Sequence, residues 1–232
     1  MAADTRDRRT LHDFSDVRPD NSAVLVIDMS RDFVAPGGPM ASTEARELAV
    51  RLAPFLARCR AVGLPVIYVN HVHRPGARDM GRLALRFPSI AEGRALRAGT
   101  PGVAICDELT PEPGDLMVEK IRQSGFTYTP LEAVLRELGV ENVMVSGVST
   151  SACVECTARD AVSRDFEVIF LSDGTANSGL PDLGWGALDA DTIQRVFLTN
   201  FAYHFGRVAT LAEIIEGPLA KVTAGRTVAA GA

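Results

Sequence analysis

The sequence contains no apolar stretch that approaches the roughly 18 residues of a membrane-spanning helix. It also has no run of lysine or arginine and no aromatic residues interleaved with basic ones, and its net charge is −5. A chain with this charge pattern lacks the basic surface that binds nucleic acid. We therefore expect neither a membrane nor a nucleic acid as a partner.

Cysteine is scarce, with four residues in 232, and tryptophan occurs once. The first residues are polar and charged, and they do not form the apolar segment of an export signal. Four cysteines without an export signal are typical of reduced thiols, so the sequence predicts a cytoplasmic protein. The remaining composition, 47% hydrophobic and 23% charged, is that of a globular protein able to bury a core.

Short apolar runs alternate with amphipathic stretches along most of the chain. The apolar runs predict six strands, near residues 22–28, 65–70, 115–120, 142–146, 166–173 and 206–209. Between them, the pattern over residues 42–62 predicts a helix that Pro54 kinks or breaks, and Thr129 with Pro130 predicts the start of another. This alternation is typical of βαβ units, so we predict a three-layer α/β/α fold with a six-stranded, mainly parallel sheet.

Neither an internal repeat nor a linker divides the chain. We expect a flexible arm over residues 1–20, a single domain over residues 21–217 and a loose tail over residues 218–232. Residues 74–115 form a long connection rich in glycine, proline and arginine. A connection of this length is typical of a functional lid or an oligomer contact.

Cys153 follows the fourth predicted strand and falls in the first turn of a predicted helix. The unpaired N–H groups and the positive end of the dipole at such a helix start favour a thiolate, which is the nucleophilic form of cysteine. The same N–H groups suit an oxyanion that forms on an attacked carbonyl. The alternative is a small buried hydrophobic side chain, which most free cysteines are.

Two charged residues, Asp28 and Lys120, end other predicted strands. Because parallel strands share one carboxyl edge, Asp28, Lys120 and Cys153 are expected to meet in one crevice. In this hypothesis Cys153 is the nucleophile, and Asp28 takes the thiol proton and returns it to a leaving amine. Lys120 holds the carboxylate, and the reaction passes through an acyl-enzyme without a metal.

Three motifs in this order resemble the isochorismatase-like cysteine hydrolases, over about residues 22–216. They are Val26-Ile27-Asp28 with Asp32-Phe33, Glu119-Lys120 with Ser124-Gly125-Phe126, and Gly147-Val148-Ser149-Thr150-Ser151-Ala152-Cys153-Val154 with Thr157-Ala158-Arg159-Asp160-Ala161. The resemblance implies an Asp28–Lys120–Cys153 triad and a cis peptide bond between Val148 and Ser149. It also implies an oxyanion hole made by the N–H groups of Ser149 and Cys153, and a homo-oligomer, dimer or tetramer, whose neighbouring subunits help to close the pocket.

The segment from Lys120 to Pro130 looks most similar to the ureidoacrylate, N-carbamoylsarcosine and biuret hydrolase branch. That branch implies a small amide or ureide substrate whose C–N bond is cleaved, with release of ammonia or carbamate. Nicotinamidase-type relatives bind a metal through an Asp-x-His pair where this chain has His71 and His73. We therefore expect no metal and no cofactor. A nicotinamidase- or maleamate-type amidase, or a hydrolase of another small molecule, remains an alternative.

Five side chains are candidates for binding the substrate. Arg122 could hold a carboxylate in a bidentate pair, although an exposed loop arginine is an equal alternative. The candidate pocket walls, for which ordinary packing is the alternative, are Phe33, Phe126, Tyr128 and Trp185.

Two hypotheses from other classes remain. Cys153 and Cys156 form a C-x-x-C at a helix start, the pattern of a thiol–disulfide protein. That function would leave Asp28 and Lys120 unused, and replacing Cys156 by serine would abolish it. The other hypothesis is a non-catalytic binding subunit that keeps the fold.

Overall fold

A computed structural model describes residues 11–76 and 78–222 of the chain. One sheet contains the six strands β1 (Ser22–Ile27), β2 (Val66–His71), β3 (Leu116–Lys120), β4 (Asn142–Val148), β5 (Glu167–Ala176) and β6 (Arg207–Ala209). Their order is β3-β2-β1-β4-β5-β6, and every neighbouring pair is parallel. The predicted α/β fold with six parallel strands is confirmed.

The helices are α1 (Arg31–Val34), α2 (Thr43–Ala61), α3 (Pro88–Ala91), α4 (Leu131–Glu137), α5 (Glu155–Val162), α6 (Ala190–His204) and α7 (Leu211–Glu216). Short 3₁₀ turns occur at Gly81–Leu85, Pro101–Val103 and Asp107–Leu109, and a π-helical turn, Thr150–Val154, precedes α5. Of the kink or break predicted at Pro54, the break is wrong, since α2 continues through Pro54 and keeps Leu52 and Phe55 buried. The helix assigned to Thr129 and Pro130 begins at Leu131, because the backbone of Pro130 is not helical.

The helices cover both faces of the sheet. Successive β1 residues point to opposite faces, so Val24 packs in one core and Leu25 in the other. Buried side chains of α2 and α7 complete the first core, and those of α4, α5 and α6 complete the second. This arrangement is the predicted three-layer α/β/α architecture.

The order of the strands reverses between β1 and β4, which lie side by side at the centre of the sheet. Ligand crevices of open α/β sheets form at such a reversal, beyond the carboxyl ends of the strands. Gly147 near the end of β4 has φ +110°, and a Cβ there would lie 2.0 Å from the carbonyl oxygen of Ile27. Only glycine therefore allows β4 to approach β1 at the point where the chain turns towards Cys153.

The N-terminal segment is packed wherever the structure describes it. Phe14 and Val17 are buried in the core, and the Arg207 guanidinium binds the Asp16 carboxylate at 2.5 and 2.9 Å. The prediction of a flexible arm is therefore wrong for residues 11–20, and residues 1–10 lie outside the described part of the chain. Two apolar side chains in a polar stretch without periodicity gave no signal of this packing.

The segment that follows α7 is also held in place. Leu219 is fully buried, and the Arg58 guanidinium donates to the carbonyl oxygens of Leu219 and Val222. The prediction of a loose tail is wrong for residues 218–222, and the rest of that tail lies outside the described residues. In the described ranges, no helix combines the length and the apolar character needed to cross a membrane.

Candidate active site

Three predicted site residues lie together at the carboxyl edge of the sheet. Asp28 directly follows β1, and Lys120 is the last residue of β3, two strands away. The Lys120 Nζ donates to Asp28 Oδ2 at 2.8 Å, and both side chains are fully buried. A carboxylate oxygen of Asp28, a ring nitrogen of His71 and the Sγ of Cys153 lie within 4.8 Å of one another.

Backbone and side-chain contacts fix this ion pair. The His71 N–H donates to Asp28 Oδ1 at 2.8 Å, so each carboxylate oxygen has a donor. The Lys120 ammonium also contacts His71 Nδ1 at 3.3 Å and donates to the Arg122 carbonyl at 3.1 Å. Burial lowers the pKa of Lys120, but its interactions with Asp28 and Cys153 outweigh burial and leave the pKa above its ordinary value. Lys120 is therefore a charged clamp on Asp28.

The turn Thr150–Val154 places Cys153 opposite that pair. The peptide bond between Val148 and Ser149 is cis, as predicted. The N–H groups of Ala152 and Val154 donate to the Ser149 carbonyl at 3.0 and 3.3 Å. The turn is tied to the next helix because the Thr157 hydroxyl donates to the Cys153 carbonyl at 2.7 Å. Ser149 and Cys153 consequently face one cavity.

The pKa of the Cys153 thiol differs from the expectation. Burial and the neighbouring Asp28 carboxylate raise the pKa of Cys153, and the Lys120 charge compensates only in part. The prediction that a helix start favours a resting thiolate is therefore wrong. The resting thiol keeps its proton, with a carboxylate positioned beside it as the acceptor.

Cys153 is 8% exposed and lies in the wall of a cavity of about 120 Å³. The other lining residues are Phe33, Met40, His71, Leu83, Phe87, Ile90, Leu96, Gln123, Ser149 and Ala152. Four of these, from Leu83 to Leu96, belong to the long connection after β2, which therefore covers the site. The cavity is mostly apolar, and its polar lining residues are His71, Gln123, Ser149 and Cys153, a composition typical of small-molecule sites.

The predicted substrate-binding residues divide into two groups. Phe33 lines the cavity. Phe126 packs in the core beneath α4 and α5, whereas Tyr128 and Trp185 are 81% and 92% exposed. In the single chain these three are not pocket walls.

Arg122 also departs from its predicted role. Its guanidinium donates to the carbonyl oxygens of Asp79 and Ile121 at 2.7 and 2.6 Å. It thereby fastens the long connection to the end of β3 rather than presenting a fork to the cavity.

His71 and His73, which stand where nicotinamidase-type relatives bind a metal, are both buried. Their rings lie 4.8 Å apart, and His73 Nδ1 is 3.2 Å from Asp79. Among the described residues, Asp28, His71 and Cys153 are the group with the donor types of a metal site. The charged Lys120 ammonium already contacts two of them, so a divalent cation there would meet charge repulsion. These residues do not fit a metal ion.

Acid should destabilise the fold through His71. Burial and the Lys120 charge lower the pKa of His71 from 6.5 to about 2, so only the unfolded chain binds the proton readily. Stability from this group is complete above pH 6.5 and falls with pH below it, by up to about 1.4 kcal/mol per pH unit. We expect His71→Asn to reduce this slope in urea unfolding between pH 6 and 4. The exposed-histidine variant His12→Asn should keep it, and an equal slope in both variants would contradict the assignment.

Comparison with known proteins identifies the family of the chain. Residues 22–213 match the isochorismatase domain. The chain belongs to the isochorismatase family. A cysteine hydrolase from Pseudomonas syringae pv. phaseolicola 1448A has a similar structure, with a TM-score of 0.85 and 35% identity over 89% of this chain and 95% of that one. The N-carbamoylsarcosine amidase of Thermoplasma acidophilum gives a TM-score of 0.66 and 28% identity, over 82% and 96%.

Curated relatives in the family include ureidoacrylate amidohydrolases RutB. One such protein from Methylorubrum extorquens is 33% identical over 187 residues, 73% of this chain and 75% of that protein. The protein of Agrobacterium fabrum is 31% identical over 212 residues, 84% of this chain and 89% of that protein. The resemblance to isochorismatase-like cysteine hydrolases is therefore confirmed.

Proposed function

We propose that this protein is a cysteine-dependent amidohydrolase that cleaves the C–N bond of a small ureido or carbamoyl substrate. One observation carries the proposal: the Cys153 thiol, in the wall of a cavity, lies within 4.8 Å of a carboxylate that a buried lysine holds in place. The relatives named ureidoacrylate amidohydrolase and N-carbamoylsarcosine amidase support this substrate class.

In the proposed reaction Asp28 takes the thiol proton as the Cys153 sulfur bonds to the substrate carbonyl carbon. The carbonyl electron pair moves to oxygen, and the N–H groups of Ser149 and Cys153 donate hydrogen bonds to the resulting oxyanion. When this intermediate collapses, the C–N bond breaks and Asp28 gives its proton to the leaving nitrogen. Asp28 then takes a proton from water as the water oxygen attacks the carbonyl carbon of the thioester or thiocarbamate. The C–S bond breaks, the acid product leaves, and Asp28 gives the proton to the sulfur, which regenerates the thiol. Lys120 keeps its charge throughout.

The substrate we infer carries a carboxylate. The segment 74–97, which covers the cavity, contains six arginines and two acids, a net charge of +4 in a chain of −5. Arg74, Arg97 and the buried His73 line a second cavity of about 190 Å³, which shares Ile90 with the first. The acid in that second cavity, Glu92, is paired with Arg94 at 2.6 Å. Such a field attracts an anion and leaves a neutral amide unaffected.

The positive charge around the cavity predicts that salt lowers kcat/KM for an anionic substrate but not for a neutral one. For a ureido acid, kcat/KM should fall about threefold or more between 20 and 300 mM NaCl, because salt screens exposed charges. For its neutral primary amide, kcat/KM should barely change. Arg74→Gln combined with Arg97→Gln should weaken the dependence, while Arg18→Gln, remote in sequence and paired with Asp20, should not. Equal salt dependence for the two substrates would contradict an anionic substrate.

The experiment that tests the function is an ammonia-release screen. It compares ureidoacrylate, N-carbamoyl amino acids, biuret, maleamate and nicotinamide, each with wild type and with Cys153→Ala. We expect Cys153-dependent turnover of at least one ureido or carbamoyl acid. Turnover confined to nicotinamide, or turnover that survives in Cys153→Ala, would overturn the proposal.

We further propose a homo-oligomer that works in the reducing cytoplasm. The loop between β5 and α6 exposes Leu183 and Trp185, an apolar surface suited to a second copy. All four cysteines are free. Sedimentation velocity should show a dimer or tetramer whose association Trp185→Ser weakens. A monomer at micromolar concentration would contradict this part of the proposal.

A further inference from the structure

The turn that carries Cys153 is hydrogen-bonded to a side chain of α6, a helix that lies far from it along the chain. Gln194 on α6 accepts a hydrogen bond from the Thr150 hydroxyl at 2.7 Å. Its amide nitrogen donates to the Ser172 carbonyl at 2.8 Å and to the Thr175 hydroxyl at 2.9 Å. We propose that Gln194 is a positioning residue that sets the Thr150–Val154 turn, and with it the oxyanion donors and the thiol. This inference rests on the proposed function.

The chemistry of the contacts fixes the direction of each hydrogen bond. A backbone carbonyl only accepts, so the amide nitrogen of Gln194 must face Ser172. The amide oxygen then faces Thr150, whose hydroxyl must be the donor. Thr150 is fully buried, so its hydroxyl would have no water to replace a lost partner. The amide therefore links three separate pieces of the fold: the end of β5, helix α6 and the turn.

The held residue is placed to affect the chemistry. Thr150 directly follows Ser149, a proposed oxyanion donor, and begins the turn that ends one residue after Cys153. The next residue is also tethered, because the N–H and hydroxyl of Ser151 contact Asn177 Oδ1 at 3.1 and 2.6 Å. The contacts of Gln194 and Asn177 thus connect the start of the turn to the region around the end of β5. Near the other end of the turn, the Thr157 hydroxyl donates to the Cys153 carbonyl.

Gln194 does not line the cavity. Its removal should therefore change kcat more than KM, because a displaced oxyanion hole loses contacts that strengthen only in the transition state. We expect Gln194→Met, which keeps the length of the side chain, to lower kcat between about 10- and 100-fold with KM within about twofold. The matched control is Arg195→Met, an exposed neighbour on the same helix, which should leave both constants unchanged.

A double-mutant cycle tests whether Gln194 acts through Thr150. Thr150→Val removes the donor hydroxyl and should match the defect of Gln194→Met, while Thr150→Ser keeps the donor and should restore most of kcat. The double variant should be little worse than either single variant, because both remove one interaction. Additive losses, or a Thr150→Ser variant as impaired as Thr150→Val, would overturn the proposal.

A second readout needs no substrate, so it stays informative if the proposed function fails. The pH profile of Cys153 alkylation by iodoacetamide reports the position of the thiol relative to Asp28. Its midpoint should shift in Gln194→Met and stay constant in Arg195→Met. If Gln194→Met lowers only the melting temperature, with kcat and the alkylation midpoint of wild type, the role is structural and the proposal is wrong.

Discussion

Cys153→Ala is expected to lower kcat/KM for ammonia release by at least about 10⁴-fold, since removing a nucleophile removes the covalent route itself. The change should not harm the fold, because alanine is smaller and the sulfur borders a cavity. Ammonia release from the best ureido substrate gives the rate, and urea unfolding checks that the variant is folded.

Cys156→Ser is the matched control. Cys156 lies on α5, is only partly buried and does not line the cavity that contains Cys153. We expect this variant to retain full activity. If Cys156→Ser lost activity as completely as Cys153→Ala, the thiol–disulfide hypothesis would replace the hydrolase.

Lys120→Met should have the second largest effect, on activity and stability together. It leaves the Asp28 carboxylate buried without its cation, which typically costs about 3–5 kcal/mol in the free energy of unfolding. Turnover should fall by about 10²-fold or more, because a displaced carboxylate no longer meets the thiol. Urea unfolding and ammonia release measure the two losses.

The double variant Asp28→Asn, Lys120→Met separates these two effects. It removes both charges, so much of the lost stability should return while activity stays absent. A single variant Lys120→Met as stable as wild type would show that the buried pair does not hold the site together.

Much of the sheet, and the meeting of Asp28, Lys120 and Cys153 at one edge of it, could be predicted from local patterns. Strands such as β1 are buried on both faces and therefore read as continuous apolar runs. Asp28 and Lys120 stand out because a charge directly ends such a run, and parallel strands bring their ends to one edge.

Features that depend on the path of the loops could not be predicted in this way. Trp185 and Tyr128 are aromatic, which suits a pocket wall, but their loops turn them outward. Arg122 carries the right fork for a carboxylate, yet its Nη1 donates to backbone carbonyls of its own chain and the side chain does not line the cavity. Only the folded path of each loop decides whether such a side chain faces the cavity.

The ionisation of Cys153 was wrongly predicted for a related reason. A helix start lowers the pKa of a thiol, but here burial and the nearby Asp28 act in the opposite direction and prevail. The burial of the thiol is not visible in the sequence around Cys153, although the strand ends predict the approach of Asp28. Gln194 gave no signal either, because its contact with Thr150 joins residues far apart along the chain.

The central claim is that substrate becomes covalently attached to the Cys153 sulfur. Quenching the enzyme in acid during turnover, digesting it and weighing the peptides by mass spectrometry tests this directly. The account predicts that the peptide containing Cys153 gains the mass of the substrate acyl group, with fragmentation placing it on that sulfur. Turnover with no acyl group on any cysteine, or with the added mass on Cys156, would contradict it.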